Sequence, residues 1–312
     1  MRTIVEPLED APLGRREDIL VYHLSYGNPD LTRFVLRWPG RLVVMYHNVT
    51  PVEHFLDLDE QFAMGLAWGR EEVRILADRT DLAFACSEFS ARDLRIAGYR
   101  NVTTEAVGVD PRRLDDLDLD TELVRKLDSW SPEGYVVSVG QLLPHKRHDL
   151  SVSVAHALRT YLRRDLGMVI VGRTRHEGYL EALVSHIDSL PDIRVTILGL
   201  VSDRELATLY RTSVCYLNMS DHEGFGIPPL EAMSCGAAVV VRDNGALLET
   251  VGDGGLVLPN SWGPDRIAAA VAEVVGDDDL LGELRRRGQR RVRTFDVDRS
   301  VSQFVAQVEQ IL

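Results

Sequence analysis

Lysine is almost absent from this chain. Of its 35 basic residues among 312, only Lys126 and Lys146 are lysines; the other 33 are arginine. Such a bias reflects a GC-rich genome, and it makes the position of Lys146 worth following. Cysteine is also scarce: Cys86, Cys215 and Cys235 are odd in number, widely spaced and set in apolar surroundings, which excludes a disulfide or zinc framework and fits reduced core thiols. No run approaches 18 apolar residues, so no membrane-spanning helix is expected. The opening MRTIVEPLEDAPLGRRED lacks the apolar middle of a signal peptide, and a cytoplasmic location is expected. Positive charge is in deficit, with 48 acidic residues giving a net charge of −13, which disfavours broad nucleic-acid binding. Aromatics make up 7% against 45% apolar residues overall, too apolar for disorder and enough for a sizeable core in one large or two medium domains.

What is present is an alternation of short apolar runs with longer amphipathic ones, the pattern of an α/β protein with parallel sheets. Strands are expected at Ile19–His23, Leu42–Tyr46, Leu82–Cys86, Val102–Val107, Tyr135–Val139, Met168–Val171, Arg194–Leu198, Val214–Leu217, Ala237–Val241 and Leu256–Leu258. Most end in Gly, Ser, Asn or His, residue types found at the carboxyl ends of such strands, where ligands bind. Expected helices include Glu60–Ala77, Phe89–Ala97, Arg147–Arg163, Glu177–Ser189 and Asp203–Arg211. A domain of residues 1–110 is followed by a linker at 111–133, which carries DDLDLD and ends in SPEG. A second domain spans 134–296, and a last helix 297–312. The first domain shows no opening strand or glycine-rich turn before Ile19, so it is expected to be reduced or incomplete.

The most informative segment is SDHEGFGIPPLEAMSCG, Ser220 to Gly236. Gly224 and Gly226 let backbone approach a ligand closely. Pro228-Pro229 suits a first helical turn, and the helix start offers N–H groups to an anion. Glu223 and Glu231 stand eight residues apart, on the loop and in the expected first turn. Repelled by phosphate, both are expected to face hydroxyls. A second segment, VGQLLPHKRH, joins a strand to a helix and puts Lys146 near the helix start, where phosphate charge is favoured.

The first segment resembles the E-x7-E motif of retaining glycosyltransferases of family 4, which have the GT-B fold of two facing Rossmann-like domains. The resemblance runs from Ile19 to near the chain's end and is most specific between Val136 and Leu258. It implies that Glu223 contacts the transferred sugar, Glu231 the ribose, and the stretch Gly224, Phe225, Gly226, Ile227, Pro228 and Leu230 the sugar and diphosphate. The second segment is similar to the family's G-R-x4-K element, with Gly140 and Lys146 in place. Gln141 stands where arginine is usual, so one charge is missing, for which Arg147 or Arg173 can compensate. Ile197–Asp203 resembles the loop that clasps the base, through Gly199 and the backbone of Leu200 and Val201. The run YHNVTP, Tyr46 to Pro51, resembles a bacterial subgroup that builds surface polysaccharides, and implies that His47 lines the interdomain cleft near the donor sugar. Tyr22–Ser25 is a similar strand end, and Ser87-Glu88 caps a helix; either is a candidate for acceptor contact.

The resemblance implies transfer of a sugar from a GDP-, UDP- or ADP-linked donor to the hydroxyl of a sugar or lipid-linked sugar, with retention. No metal or other cofactor is expected, nor any nucleic-acid partner. Lys146, Glu223 and His47 are the expected catalytic residues, and the last helix is expected to brace the first domain. The rivals are a nucleotide-sugar-binding protein without efficient transfer, and an epimerase or hydrolase on the same fold. Asp116–Asp120 and Asp57-Leu58-Asp59 imitate a metal-binding DxD but end no hydrophobic strand. His145, His148 and His222 lack ligand spacing. Six arginines within Arg285–Arg293 lie opposite an apolar stripe, read as a packed helix with a wet basic face; the lesser reading is peripheral contact with anionic lipid at the inner membrane face.

Overall fold

The computed structural model describes residues 8, 11–106 and 110–312. The expected strand end at Val107 and the boundary residues Gly108 and Val109 lie outside them. The chain divides into two compact units, Met1–Gly108 with Val297–Leu312, and Val109–Asp296. Residues 111–133, expected as a linker, are part of the second unit: Leu114 and Leu127 are buried in its core, and Thr121–Trp130 is a helix. The amphipathic composition of that segment, with Leu114, Leu117, Leu123 and Leu127 turned inward, outweighs its acidic surface.

In the first unit a parallel sheet runs in the order β1 (Ile19–Leu24), β2 (Arg41–Tyr46), β3 (Leu82–Ala85), β4 (Val102–Thr104). The apolar runs of β2 and β3 are buried along nearly their whole length, as parallel strands covered on both faces require. On one face Val43, Met45, Leu82 and Phe84 pack under the last helix, Val297–Glu309, and the residues just after it, through Phe304, Val308 and Ile311. Phe84 and Phe304 ring centres lie 4.9 Å apart.

The second unit's sheet is also parallel, with strands β5 (Tyr135–Val139), β6 (Gly167–Val171), β7 (Arg194–Ile197), β8 (Cys215–Asn218), β9 (Val239–Arg242) and β10 (Leu256–Leu258). Their order is β10-β9-β8-β5-β6-β7. From β5 the chain builds outward through β6 and β7, then returns to β5's other side with β8. The order therefore reverses between β5 and β8, which opens a crevice at their carboxyl ends, where ligands of open α/β sheets bind. Among the described residues no helix is long and apolar enough to cross a membrane.

Candidate active site

The loops after β5 and β8 meet at this reversal. After β5 the chain makes a tight turn, Pro144–Lys146, then enters the helix His148–Leu162. After β8 it crosses Met219–Gly226 and enters the helix Ile227–Ser234. The Asp221 N–H donates to the His145 carbonyl at 2.7 Å, tying one loop to the other. Lys146 runs its stem beside Gly140, where no side chain intervenes, and its Nζ lies 2.8 Å from both Glu223 carboxylate oxygens. Ser220 Oγ and Asn218 Nδ2 also donate to Glu223 Oε1, at 2.9 and 3.3 Å. Burial alone would raise this carboxyl's pKa, but Lys146 and these hydrogen bonds overcome it and hold Glu223 below the ordinary carboxylate range. The acid read as facing only hydroxyls is thus anchored by a cation. An ammonium has three N–H donors, and two serve Glu223, leaving one for a phosphate oxygen.

His148 lies buried beneath the same turn. Its Nδ1 is 3.3 Å from Ser138 Oγ and its Nε2 is 3.2 Å from the Gln141 carbonyl. Desolvation brings its pKa down to about 4, so it is a neutral brace for the loop. Gln141 itself is exposed. Of the two arginines that could replace the missing charge there, Arg147 is engaged elsewhere: it pairs with Asp149 at 3.0 Å and with Asp221 at 2.9 Å. Asp221 in turn pairs with the buried Arg242 at 2.6 Å. Arg147 is therefore a strut between loops. Arg173 is exposed, and its carbonyl accepts the Leu142 N–H at 3.0 Å, which sets its backbone beside Gln141.

Gly226 has φ of 102° at the entry to the helix Ile227–Ser234, a conformation open to glycine without strain. The two prolines occupy the second and third helical positions. Lacking N–H groups, they leave Gly226 and Ile227 as the open donors of this helix start, so Pro228 shapes the entry without hydrogen-bonding to an anion. Phe225 packs edge-on against Phe295 at 5.8 Å, and its carbonyl accepts the Thr250 hydroxyl. Leu230 is fully buried, and its side chain belongs to the core instead of facing a ligand. Glu231 is the fifth helical residue, in the second turn and not the first as expected, because the helix begins at Ile227.

Glu231 is also ion-paired, to a residue that no sequence motif marks. Arg113 Nε is 2.8 Å from Glu231 Oε1, and Arg113 Nη1 is 2.5 Å from Asp203 Oδ1. Asp203 opens the helix that follows the expected base loop. There Gly199 has φ of 65°, Leu200 is 77% exposed, Val201 is half-buried, and Ser202 caps the helix with a reciprocal bond to Glu205. Within this unit the two acids of the motif thus meet two separate cations: Glu223 at the turn after β5, Glu231 beside the base loop.

In the first unit His23 and His47 stand at the carboxyl ends of the adjacent strands β1 and β2. Their rings stack, with centres 5.1 Å apart, and one ring donates to the other between His23 Nδ1 and His47 Nε2 at 2.8 Å. Desolvation of its packed side and the neighbouring His23 lower the pKa of His47, which favours the neutral imidazole. Asn48 is left-handed, with φ of 71°, and buried; its amide reaches Ser90 and Asp93, and Tyr46 and Arg70 also bond Asp93. The YHN run is therefore a buried turn that presents its histidine. Ser87 caps the helix Glu88–Ala97.

Other features are structural. Asp59 and Asp120 cap the helices Glu60–Ile75 and Thr121–Trp130. Among the described residues no three His, Cys, Asp or Glu side chains gather as a metal set. Cys215 and Cys235 are free and buried, which pushes their thiols up to about 12 and 11. On the helix Asp278–Val292, Glu283 pairs with Arg286, Arg287 and Arg290.

Residues 120–291 match the family described as Glycosyl transferases group 1. The O-antigen chain mannosyltransferase B of Escherichia coli is 31% identical over 175 residues, 55% of this chain and 45% of that protein. The D-inositol 3-phosphate glycosyltransferase of Gordonia bronchialis is 28% identical over 263 residues, 72% of this chain and 57% of that protein. The chain spans about half the length of these curated relatives. Among solved structures, Anabaena HepE in complex with UDP and glucose has a TM-score of 0.73 at 19% identity, covering 90% of this chain and 75% of that one. Sucrose-phosphate synthase from Thermosynechococcus elongatus also has a TM-score of 0.73 at 19% identity, covering 93% and 73%. These likenesses show the GT-B fold. The family match covers more than half of the sequence and includes the Lys146–Glu223 pair, the base loop and Glu231: the chain belongs to the group 1 glycosyl transferases.

Proposed function

We propose that this chain is a retaining glycosyltransferase of family 4 that moves a sugar from a nucleotide-diphosphate sugar to an acceptor hydroxyl. The observation that carries the reading is the Lys146–Glu223 pair at the sheet's reversal point, held by Ser220 and Asn218 and flanked by the open N–H groups of Gly226 and Ile227. Lys146 keeps Glu223 ionised, so that it accepts hydrogen bonds from sugar hydroxyls, while its third N–H and the helix start take the diphosphate. Glu231, by the base loop, takes the ribose. In the transfer step the bond from the anomeric carbon to the phosphate oxygen breaks, the acceptor oxygen bonds to that carbon on the same face, and the acceptor proton passes to the departing phosphate. The protein supplies positioning and stabilises the charge that builds on the diphosphate. Lys146 and backbone donors are positive enough for this duty without a metal ion. In this reading His47, at the carboxyl end of β2, serves as a neutral imidazole toward a sugar hydroxyl.

The relative named as an O-antigen chain mannosyltransferase supports a role in surface polysaccharide or glycoconjugate synthesis. The neighbour's UDP and glucose support a nucleoside diphosphate sugar as donor; guanine and adenine are the alternatives to uracil as its base. Proton NMR of the product formed from α-linked UDP-, GDP- and ADP-sugars, with and without EDTA, tests the proposal. Retention of the α-anomer in EDTA is expected. A β-linked product, or loss of transfer on chelation, would overturn it, and donor binding without any turnover would favour a binding protein.

A further inference from the structure

Glu231 could not orient itself. It sits on a short helix, its carboxylate nearly buried and held by Arg113 through Oε1. Arg113 comes from 118 residues earlier in the chain, on a turn anchored by the fully buried Leu114. That turn is further fixed by Arg211, whose guanidinium donates to the carbonyls of Leu114, Asp115 and Leu117. The Arg113 guanidinium also reaches Asp203, the residue following the cap of the helix after the base loop. One rigid planar fork therefore spans an acid on one helix and an acid on another. An arginine placed to neutralise surface charge would not need two acids from separate elements, nor a turn fastened so firmly behind it.

We propose that Arg113 is a positioning residue of the donor site: it holds Glu231 with Oε2 open toward the ribose hydroxyls, and fixes the base loop at a set distance from them. The inference rests on the donor-site reading and adds to it a residue from the segment read as linker. It implies that discrimination for ribose hydroxyls, more than affinity as such, depends on Arg113.

The test is calorimetric. The tightest binder among UDP, GDP and ADP is titrated alongside its 2′,3′-dideoxy counterpart into the wild-type chain and into Arg113→Met, which keeps the aliphatic stem. A hydrogen bond to a charged acceptor is worth about tenfold or more in affinity, so the wild type is expected to prefer the ribonucleotide by about that factor. In Arg113→Met the ratio is expected to fall toward one. A merely structural role would weaken both ligands alike and leave the ratio where it was, and that outcome overturns the proposal. Should Arg113→Met fail to fold, Arg113→Lys carries the test, since a single ammonium nitrogen cannot reproduce the fixed fork that reaches Glu231 through Nε and Asp203 through Nη1: a reduced ratio supports the proposal and a wild-type ratio overturns it. A wild type that binds none of the three nucleotides overturns the donor-site reading itself. One that binds them without preference for the ribonucleotide overturns the role of Glu231, and the proposal with it.

Discussion

Lys146→Met should cost the fold far more than an exposed lysine would. The side chains of Lys146 and Glu223 are only 20% and 10% exposed, and the ammonium contacts both carboxylate oxygens. Removing one partner of a buried pair leaves an uncompensated charge, at about 3–5 kcal/mol. At the lower figure, and with roughly 2–4 °C lost per kcal/mol in a unit of this size, the melting temperature at pH 7 should fall by about 6–12 °C. The loss should depend on pH in a definite sense. In the wild type Glu223 lies below its ordinary value, so its contribution is present above pH 4.5 and fades as pH falls through the folded value. In the variant, burial is opposed only by Ser220 and Asn218, the carboxyl's pKa rises, and acid favours the folded form by protonating it. The gap between the two proteins should narrow from pH 7 to pH 5 by calorimetry or denaturant titration. Lys146→Met combined with Glu223→Gln should recover most of the stability, because a neutral amide needs no counter-charge. A single variant as stable as the wild type, or a gap constant with pH, would show that the pair does not carry the buried charge.

The two acids should separate by ligand. Glu231→Ala should weaken free nucleoside diphosphate and nucleotide-sugar alike by about tenfold, whereas Glu223→Gln should spare the free nucleotide and reduce transfer; equal losses in both would refute the assignment. Gln141→Arg should tighten nucleotide binding, and Arg173→Ala should loosen it, since Arg147 is occupied by Asp149 and Asp221; titration calorimetry reads both. His148, with its pKa lowered to about 4 from 6.5, makes the unfolded chain bind a proton first, so stability should fall by about 3 kcal/mol between pH 6.5 and pH 4. His148→Asn should lose less over that window, and parallel curves would contradict the buried neutral imidazole.

Much of this was legible in the sequence because it was local. All ten expected strands are present, most within a residue or two of their expected bounds, since runs such as VVSV and MVIV carry their own β propensity and end in polar residues. The helix after Gly226 follows from its glycine and prolines. What escaped was set by sheet order. That Lys146 and Glu223, 77 positions apart, would neutralise each other depends on β8 pairing with β5, which no periodicity reveals. Arg113 was masked by its acidic surroundings, where local composition reads as linker while four leucines pack inward. The partnership of His23 with His47 likewise needed β1 and β2 to be neighbours. Glu231 was placed in the first turn because Pro228 and Pro229 mark that turn, whereas the helix starts at Ile227 and carries Glu231 just past it as the fifth residue.

Titration of UDP-, GDP- and ADP-sugars into the wild-type chain, and into the stable Lys146→Met/Glu223→Gln variant, bears most directly on whether this pair forms a donor site. One donor should bind the wild type, and its affinity should fall by at least about tenfold in the variant at unchanged fold. Equal affinity in the two proteins, or no binding of any nucleotide-sugar by the wild type, would contradict it.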